Sequence, residues 1–256
     1  TADLDGMLDF YVLQDRAGRG RGEDIFWPRV SYHEIPLAGR IVRAKVATMS
    51  LATFERAARG GGIDTTIWTR FSQPARLVLS RSPVITERVV EAVCDSVRTA
   101  TRFAAALGPQ AGAPRDYWLA LFRQTYRAEL RVEKTSRAEI ILDRDATYYR
   151  DALLLAWQDM GLIDSASSGT WLAPRLREGR RAVWRARWRV RRLAGRPLNI
   201  LRLIRAAWTF DGAARYALWK IERHSGIVMA LTPWRERHPV LAAPGVLVEL
   251  WKARRA

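Results

Sequence analysis

At 256 residues, with 48% hydrophobic content and 11 tryptophans, the chain is long enough to bury a core and too apolar for wholesale disorder. Its one cysteine, Cys94, excludes an internal disulfide and any zinc site built on two thiolates, and suits a reducing compartment. A net charge of +17 calls for an anionic partner, and no apolar run approaches the roughly 20 residues of a membrane-spanning helix.

LDFYVL (8–13) reads as a buried strand. RVSYHEIPL (29–37) and RIVRAKVATMS (40–50) alternate polar and apolar residues around Ala38-Gly39, the pattern of a hairpin. Gly18, Gly20 and Gly22 among arginines form a loop before it. Ser50 can cap a short helix over 51–59 that ends at Gly60-Gly61-Gly62, and RLVLS (76–80) returns to the sheet. After Pro83 the three- and four-residue spacing predicts helices over 85–106, 115–130 and 135–160. Ser165–Gly169 reads as a linker, followed by helices near 172–193, 197–208, 212–223 and 240–253. The expected organisation is a mixed-sheet α/β domain over 1–82, a helical domain over 83–165 and a basic helical tail over 166–256.

Charge is concentrated at the far end. Residues 171–256 hold 20 Lys+Arg against 5 Asp+Glu and carry 7 of the 11 tryptophans, whereas residues 1–170 hold 23 against 21. The front opens instead on acids: Asp3, Asp5 and Asp9 lie beside the first apolar run. A carboxylate flanked by apolar strand residues is costly to bury alone, and a bound cation would remove that cost. Phosphoryl and nucleotidyl transfer use Mg²⁺ in this way, held by one or two carboxylates on phosphate oxygens. The alternative is that Asp3 and Asp5 are solvated and Asp9 pairs with an arginine.

MLDFYVLQD (7–15) resembles the strand M-[LV]-D-F-I-F-x-V-[DE] of the mitochondrial-type phosphatidate cytidylyltransferases, the peripheral CDP-diacylglycerol synthases. Further segments follow in the same order. KVATMS (45–50) is similar to K-Y-G-V-I-S, TRFSQPA (69–75) to G-R-[LF]-x-K-P-V, and TYRAELRV (125–132) to S-Y-x-G-D-x-R-M. TFDGAARYALWKIER (209–223) is more distantly similar to T-A-G-x-x-K-S-x-x-Y-A-x-x-K. The departures are Gln73 for a lysine, Ala128 for a glycine, and the family's Gly-Ser phosphate loop, which the chain lacks and which is expected upstream of Thr1.

The resemblance implies an α/β nucleotidyltransferase fold, incomplete at its start, and transfer of CMP from CTP to phosphatidic acid with release of pyrophosphate. It further implies that Asp9, with Asp5 or Asp3, holds Mg²⁺ on the triphosphate. Lys45, Arg70 and Arg131 would contact phosphate oxygens, and Glu129 would orient Arg131 or join the metal shell. An arginine fork suits phosphate because it donates two parallel hydrogen bonds. His33, His224 and His238 lack metal-type spacing.

PRLREGRRAVWRARWRVRR (174–192) is the strongest signal in the tail. On a helical wheel Leu172, Leu176, Val183, Ala186, Val190 and Leu193 share one arc, with Arg180, Arg181, Arg185, Arg189 and Arg192 elsewhere. Trp184 and Trp188 flank the arc, and Trp251 sits near a second basic cluster, Lys252 with Arg254 and Arg255. Tryptophan among arginines suits an interfacial helix on an anionic membrane surface. A peripheral protein on the cytoplasmic side of an inner membrane, or the matrix face in a mitochondrion, is therefore expected. The rivals are RNA binding or RNA-directed nucleotidyl transfer, with tryptophan stacked on bases, and a non-catalytic membrane adaptor. Recognisable nucleic-acid motifs are lacking, so nucleic acid is the less favoured partner.

Overall fold

A computed structural model describes residues 7–15, 28–128, 136–164, 169–209 and 212–253. It contains a three-stranded mixed sheet and is otherwise mostly helical. The strands are β1 (Met7–Gln14), β2 (Arg29–Leu37) and β3 (Arg40–Ser50), in the order β1-β3-β2. The β2–β3 hairpin turns at Ala38-Gly39, both at positive φ, and β1 lies parallel to β3 on its other side. The chain divides into two compact units: Thr1–Ser50 with Ile200–Ala256, and Leu51–Asn199. These borders differ from the sequence-derived divisions at 82 and 165, because the helices α1 (Leu51–Ala58) and α2 (Thr66–Phe71) pack on α3 (Pro83–Leu107).

In the Leu51–Asn199 unit, α3 begins where sequence chemistry dictates. The Ser82 hydroxyl accepts from the Ile85 N–H at 3.3 Å, and Pro83 fills the first turn, where no amide proton is required. Small residues at Ala100, Ala104 and Ala105, all fully buried, let aromatic side chains pack close to the α3 backbone. α4 (Pro114–Ala128) contributes Tyr117, Trp118, Leu121 and Phe122 to that core. The helix expected over 135–160 is two helices, α5 (Ser136–Arg144) and α6 (Ala146–Asp159). The backbone leaves helical geometry at Asp145 (φ −135°, ψ 46°), and Leu142 before the break and Tyr149 after it both enter the core.

Three buried aromatic donors find backbone acceptors, whereas the Trp68 and Trp188 Nε1–H groups have none among the described residues. Trp118 Nε1–H donates to the Tyr149 carbonyl at 2.7 Å, and Trp157 Nε1–H to the Thr101 carbonyl at 3.1 Å. Tyr117 donates its hydroxyl to the Leu172 carbonyl at 2.7 Å, beside the Gly112–Leu172 bridge.

Three expectations fail here. LDFYVL (8–13) lies in a strand, β1, but not a buried one: Phe10 and Val12 are exposed. RLVLS (76–80) forms no strand: Leu77, Val78 and Leu79 are exposed, and no neighbouring strand pairs with them among the described residues. The helices expected over 172–193 and 197–208 are one, α7 (Glu178–Thr209), which begins after Pro174 and runs through Gly195 and Pro197. A proline inside a helix removes one i→i−4 hydrogen bond, which a long helix can tolerate. In the other unit α8 (Ala213–Ser225), the short α9 (Pro233–Arg237) and α10 (Pro239–Ala253) follow. No helix among the described residues is long and apolar enough to cross a membrane.

Trp188 is 3% exposed and packs on Phe103 and Trp68, with ring centroids at 5.6 and 6.4 Å. Trp188→Ala is expected to cost about 3–5 kcal/mol, read as a shift in the denaturant midpoint of unfolding. Burial pushes the Tyr117 phenol from its ordinary 10.0 up to about 12. Its neutral form is the one the fold favours, so that contribution is complete below pH 10 and disappears as pH rises from 10 to about 12. An alkaline unfolding curve followed at the tyrosinate absorbance should show cooperative loss of structure in that window, with Tyr117 ionising only as the fold opens.

Candidate functional site: an aromatic and cationic face on the sheet

Alternation along the strands assigns side chains to faces. Asp9 of β1 is in register with Lys45 of β3, and Lys45 in turn is in register with Tyr32 of β2. All three therefore belong to one face of the sheet, with Arg43 and Glu34 on the same face one pleat away. Asp9 is exposed. The expectation that this carboxylate needs a cation to survive burial therefore loses its premise, although its place at the strand pair stands.

The face is roofed in part by α8. Gly212 precedes the helix at φ +78°, and a Cβ there would stand 2.9 Å from the Tyr32 carbonyl oxygen. Glycine is thus required for the backbone to approach β2. Positions 216, 219, 220 and 223 then fall on one side of α8 by helical spacing. Tyr216 and Trp219 lie 5.5 and 6.5 Å from the Tyr32 ring. Cations crowd both rings. Lys45 Nζ and Lys220 Nζ stand 6.0 and 5.8 Å from the Tyr216 centroid, and Arg43 and Arg223 lie 5.6 and 5.3 Å from that of Trp219.

Few acids offset that charge. The Tyr32 hydroxyl donates to Glu34 Oε1 at 2.9 Å, and burial together with that carboxylate raises the Tyr32 pKa well above its ordinary value. Arg43 Nε lies 3.4 Å from the same oxygen, close enough for an ion pair but without a hydrogen bond. Two lysines and two arginines around two rings, with Asp9 beside Lys45, give a face suited to a polyphosphate and to an aromatic base. Sequence reasoning missed Tyr32, Arg43, Trp219, Lys220 and Arg223 here. The signal available was the i, i+3, i+4, i+7 spacing of Tyr216, Trp219, Lys220 and Arg223.

A divalent cation fits this face in one form. Mg²⁺ is commonly held by one or two carboxylates and completes its shell with phosphate oxygens and water, which an exposed Asp9 beside a cationic patch allows. Among the described residues no group of three His, Cys, Asp or Glu could hold a metal unaided. The fit is therefore to a metal that arrives on a polyphosphate. Asp3, Asp5, Glu129 and Arg131 lie outside the described residues. Arg70 is in the last turn of α2, in the other unit. His33 Nε2 lies 2.8 Å from the Ser31 hydroxyl, and His238 rests against Trp234.

The residues read as membrane-binding separate into two groups. Trp184 and Trp188 turn inward on Phe103, with Trp188 buried. Arg185 is tied down by its Nε–H to the Ala106 carbonyl at 2.9 Å. Arg189, Arg192 and Trp251 are exposed. Two arginines of the helix are buried: Arg181, placed by the wheel away from the apolar arc, at 6% exposure, and Arg191 at 8%. Arg191 donates from Nη2 to the Gly60 and Gly62 carbonyls at 2.7 and 2.8 Å and lies 5.0 Å from the Phe103 ring centroid. Desolvation, and then the nearby Arg187, lower its pKa.

No family model and no curated protein matches the chain. Gly212→Ala tests how the site is built. Positive φ and the clash with the Tyr32 carbonyl together should cost more than about 1 kcal/mol. The check is a lowered unfolding midpoint together with loss of Tyr216–Tyr32 proximity in NMR ring contacts.

Proposed function

We propose that the chain is a phosphatidate cytidylyltransferase of the peripheral, nucleotidyltransferase-fold type, transferring CMP from CTP to phosphatidic acid. One observation carries the reading. Two segments about 170 residues apart, each similar on its own to that family, meet on one face: Lys45 and Lys220 both approach the Tyr216 ring, and Asp9 is in register with Lys45. Chance likeness of short motifs gives no reason for the matched residues to converge.

The lipid phosphate is already an anion near neutral pH, so the reaction needs alignment and charge neutralisation more than a strong base. Asp9 would hold Mg²⁺, which when bound draws together phosphate oxygens and offsets their charge. Lys45 and Lys220 would take the phosphate oxygens, and Tyr216 or Trp219 would offer a ring to the cytosine. Arg70, Glu129 and Arg131 keep the roles that the resemblance implies. The product lipid stays in the bilayer, and the protein works as a peripheral one on the cytoplasmic or matrix side. RNA binding through stacked Trp184 and Trp188 is disfavoured, because both rings are occupied in the core.

The test is the full-length protein with Mg²⁺, labelled CTP and phosphatidic acid in vesicles. Label should pass to the lipid. Asp9→Ala should cut the rate by at least about 100-fold, and Lys45→Met or Lys220→Met by about 10–100-fold in kcat/KM. Wild-type protein that binds vesicles but moves no label would leave the adaptor reading in its place.

A further inference from the structure

The wheel of α7 has an inner and an outer side. Arg181, Trp184, Trp188 and Arg191 are buried or packed on the core, at spacings of three and four residues. On the opposite side Val183, Val190 and Leu193 are 53%, 53% and 74% exposed, with Ala186 exposed between them. At 100° per residue these four positions form a single ridge. Exposed arginines border it on both flanks, Arg180 and Arg187 on one and Arg189 on the other. The part of the apolar arc that lies within α7 is therefore the outward face, whereas Leu172 and Leu176, before the helix, join the core, to which the helix itself turns tryptophan and arginine.

We infer that this ridge is a docking surface for an anionic lipid bilayer, with Val183, Val190 and Leu193 entering the headgroup–acyl boundary and the flanking arginines on lipid phosphates. Charge selects the occupant. Glu178 is the only acid in the 32 residues of α7, so a second copy of the helix laid along the ridge would set arginine against arginine. Nucleic acid would satisfy the arginines but leave the aliphatic centre without purpose, since the two tryptophans able to stack on bases face inward. A bilayer with anionic headgroups satisfies both the centre and the rim. The surface serves the lipid-substrate reading above, and it is measured without CTP, so failure of either is separately visible.

The experiment is flotation of the full chain with phosphatidylcholine vesicles containing a third phosphatidylglycerol, against pure phosphatidylcholine, at low and high salt. Wild-type protein should float with the anionic vesicles and lose binding as salt rises. Val183→Ser/Val190→Ser/Leu193→Ser should reduce partitioning at least tenfold with an unchanged unfolding midpoint. Arg180→Gln/Arg189→Gln should reduce it severalfold and flatten the salt dependence. As a check independent of multiple substitution, a polarity-sensitive dye on Leu193→Cys, in a Cys94→Ser background, should shift to the blue on vesicles. Flotation of the serine variant equal to wild type, or a dye that does not respond, overturns the inference. So does a wild-type dimer in sedimentation that the serine variant dissociates, or a ridge-dependent shift of RNA without vesicle binding.

Discussion

Phe103 is the point on which the Leu51–Asn199 unit turns. Trp68 stacks on it at 5.2 Å, Trp184 and Trp188 meet its edge at 5.0 and 5.6 Å, and the Arg191 guanidinium lies over it at 5.0 Å. Buried cations are costly unless their protons find acceptors. Here the Gly60 and Gly62 carbonyls provide them, and Gly60 can present its carbonyl only because its φ is +69°. The glycine run after α1 and the arginine-rich helix α7 are therefore one device, joined across about 130 residues of chain.

That device decides what α7 offers to the outside. Once the tryptophan side is committed to Phe103, helical geometry sends the valines and Leu193 outward, and the remaining arginines to the flanks. The same allocation separates two kinds of arginine in one helix. Arg181, Arg185 and Arg191 serve the fold, whereas Arg180, Arg187, Arg189 and Arg192 are exposed. In the other unit aromatic rings and cations are combined differently. Tyr216 and Trp219 cover part of the sheet and gather Arg43, Lys45, Lys220 and Arg223 while leaving Asp9 exposed.

Local chemistry made much of the fold legible. Period-two alternation marked both hairpin strands, Ala38-Gly39 marked their turn, and Ser82-Pro83 marked the start of α3. What was not legible depended on partners distant in sequence. RLVLS has strand-like composition but pairs with no strand among the described residues, and the helical pattern breaks between Leu142 and Tyr149, both of which enter one core. For α7 the hydrophobic arc holds only from Val183 onward, because Leu172 and Leu176 precede the helix and join the core; its direction was open, since a wheel does not say which side meets the core. For the site, Asp9 was marked by its place in an apolar strand and Lys45 by resemblance, whereas Tyr32, Trp219 and Arg223 required the three-dimensional approach of α8.

The strand unit is discontinuous: its sheet ends at Ser50 and its covering helices begin only after residue 199. During synthesis Tyr32, Arg43 and Lys45 leave the ribosome long before Tyr216 and Trp219 exist to cover them. The intervening helices can collapse around Phe103 as soon as α7 emerges, whereas the sheet must wait for α8, more than 160 residues after β3. Closing a loop of that length adds an entropic cost that grows only slowly with size, so the delay weighs on folding rate more than on final stability. Of the two units the one holding the sheet is thus the later to mature, and until α8 arrives its strand face is only half covered.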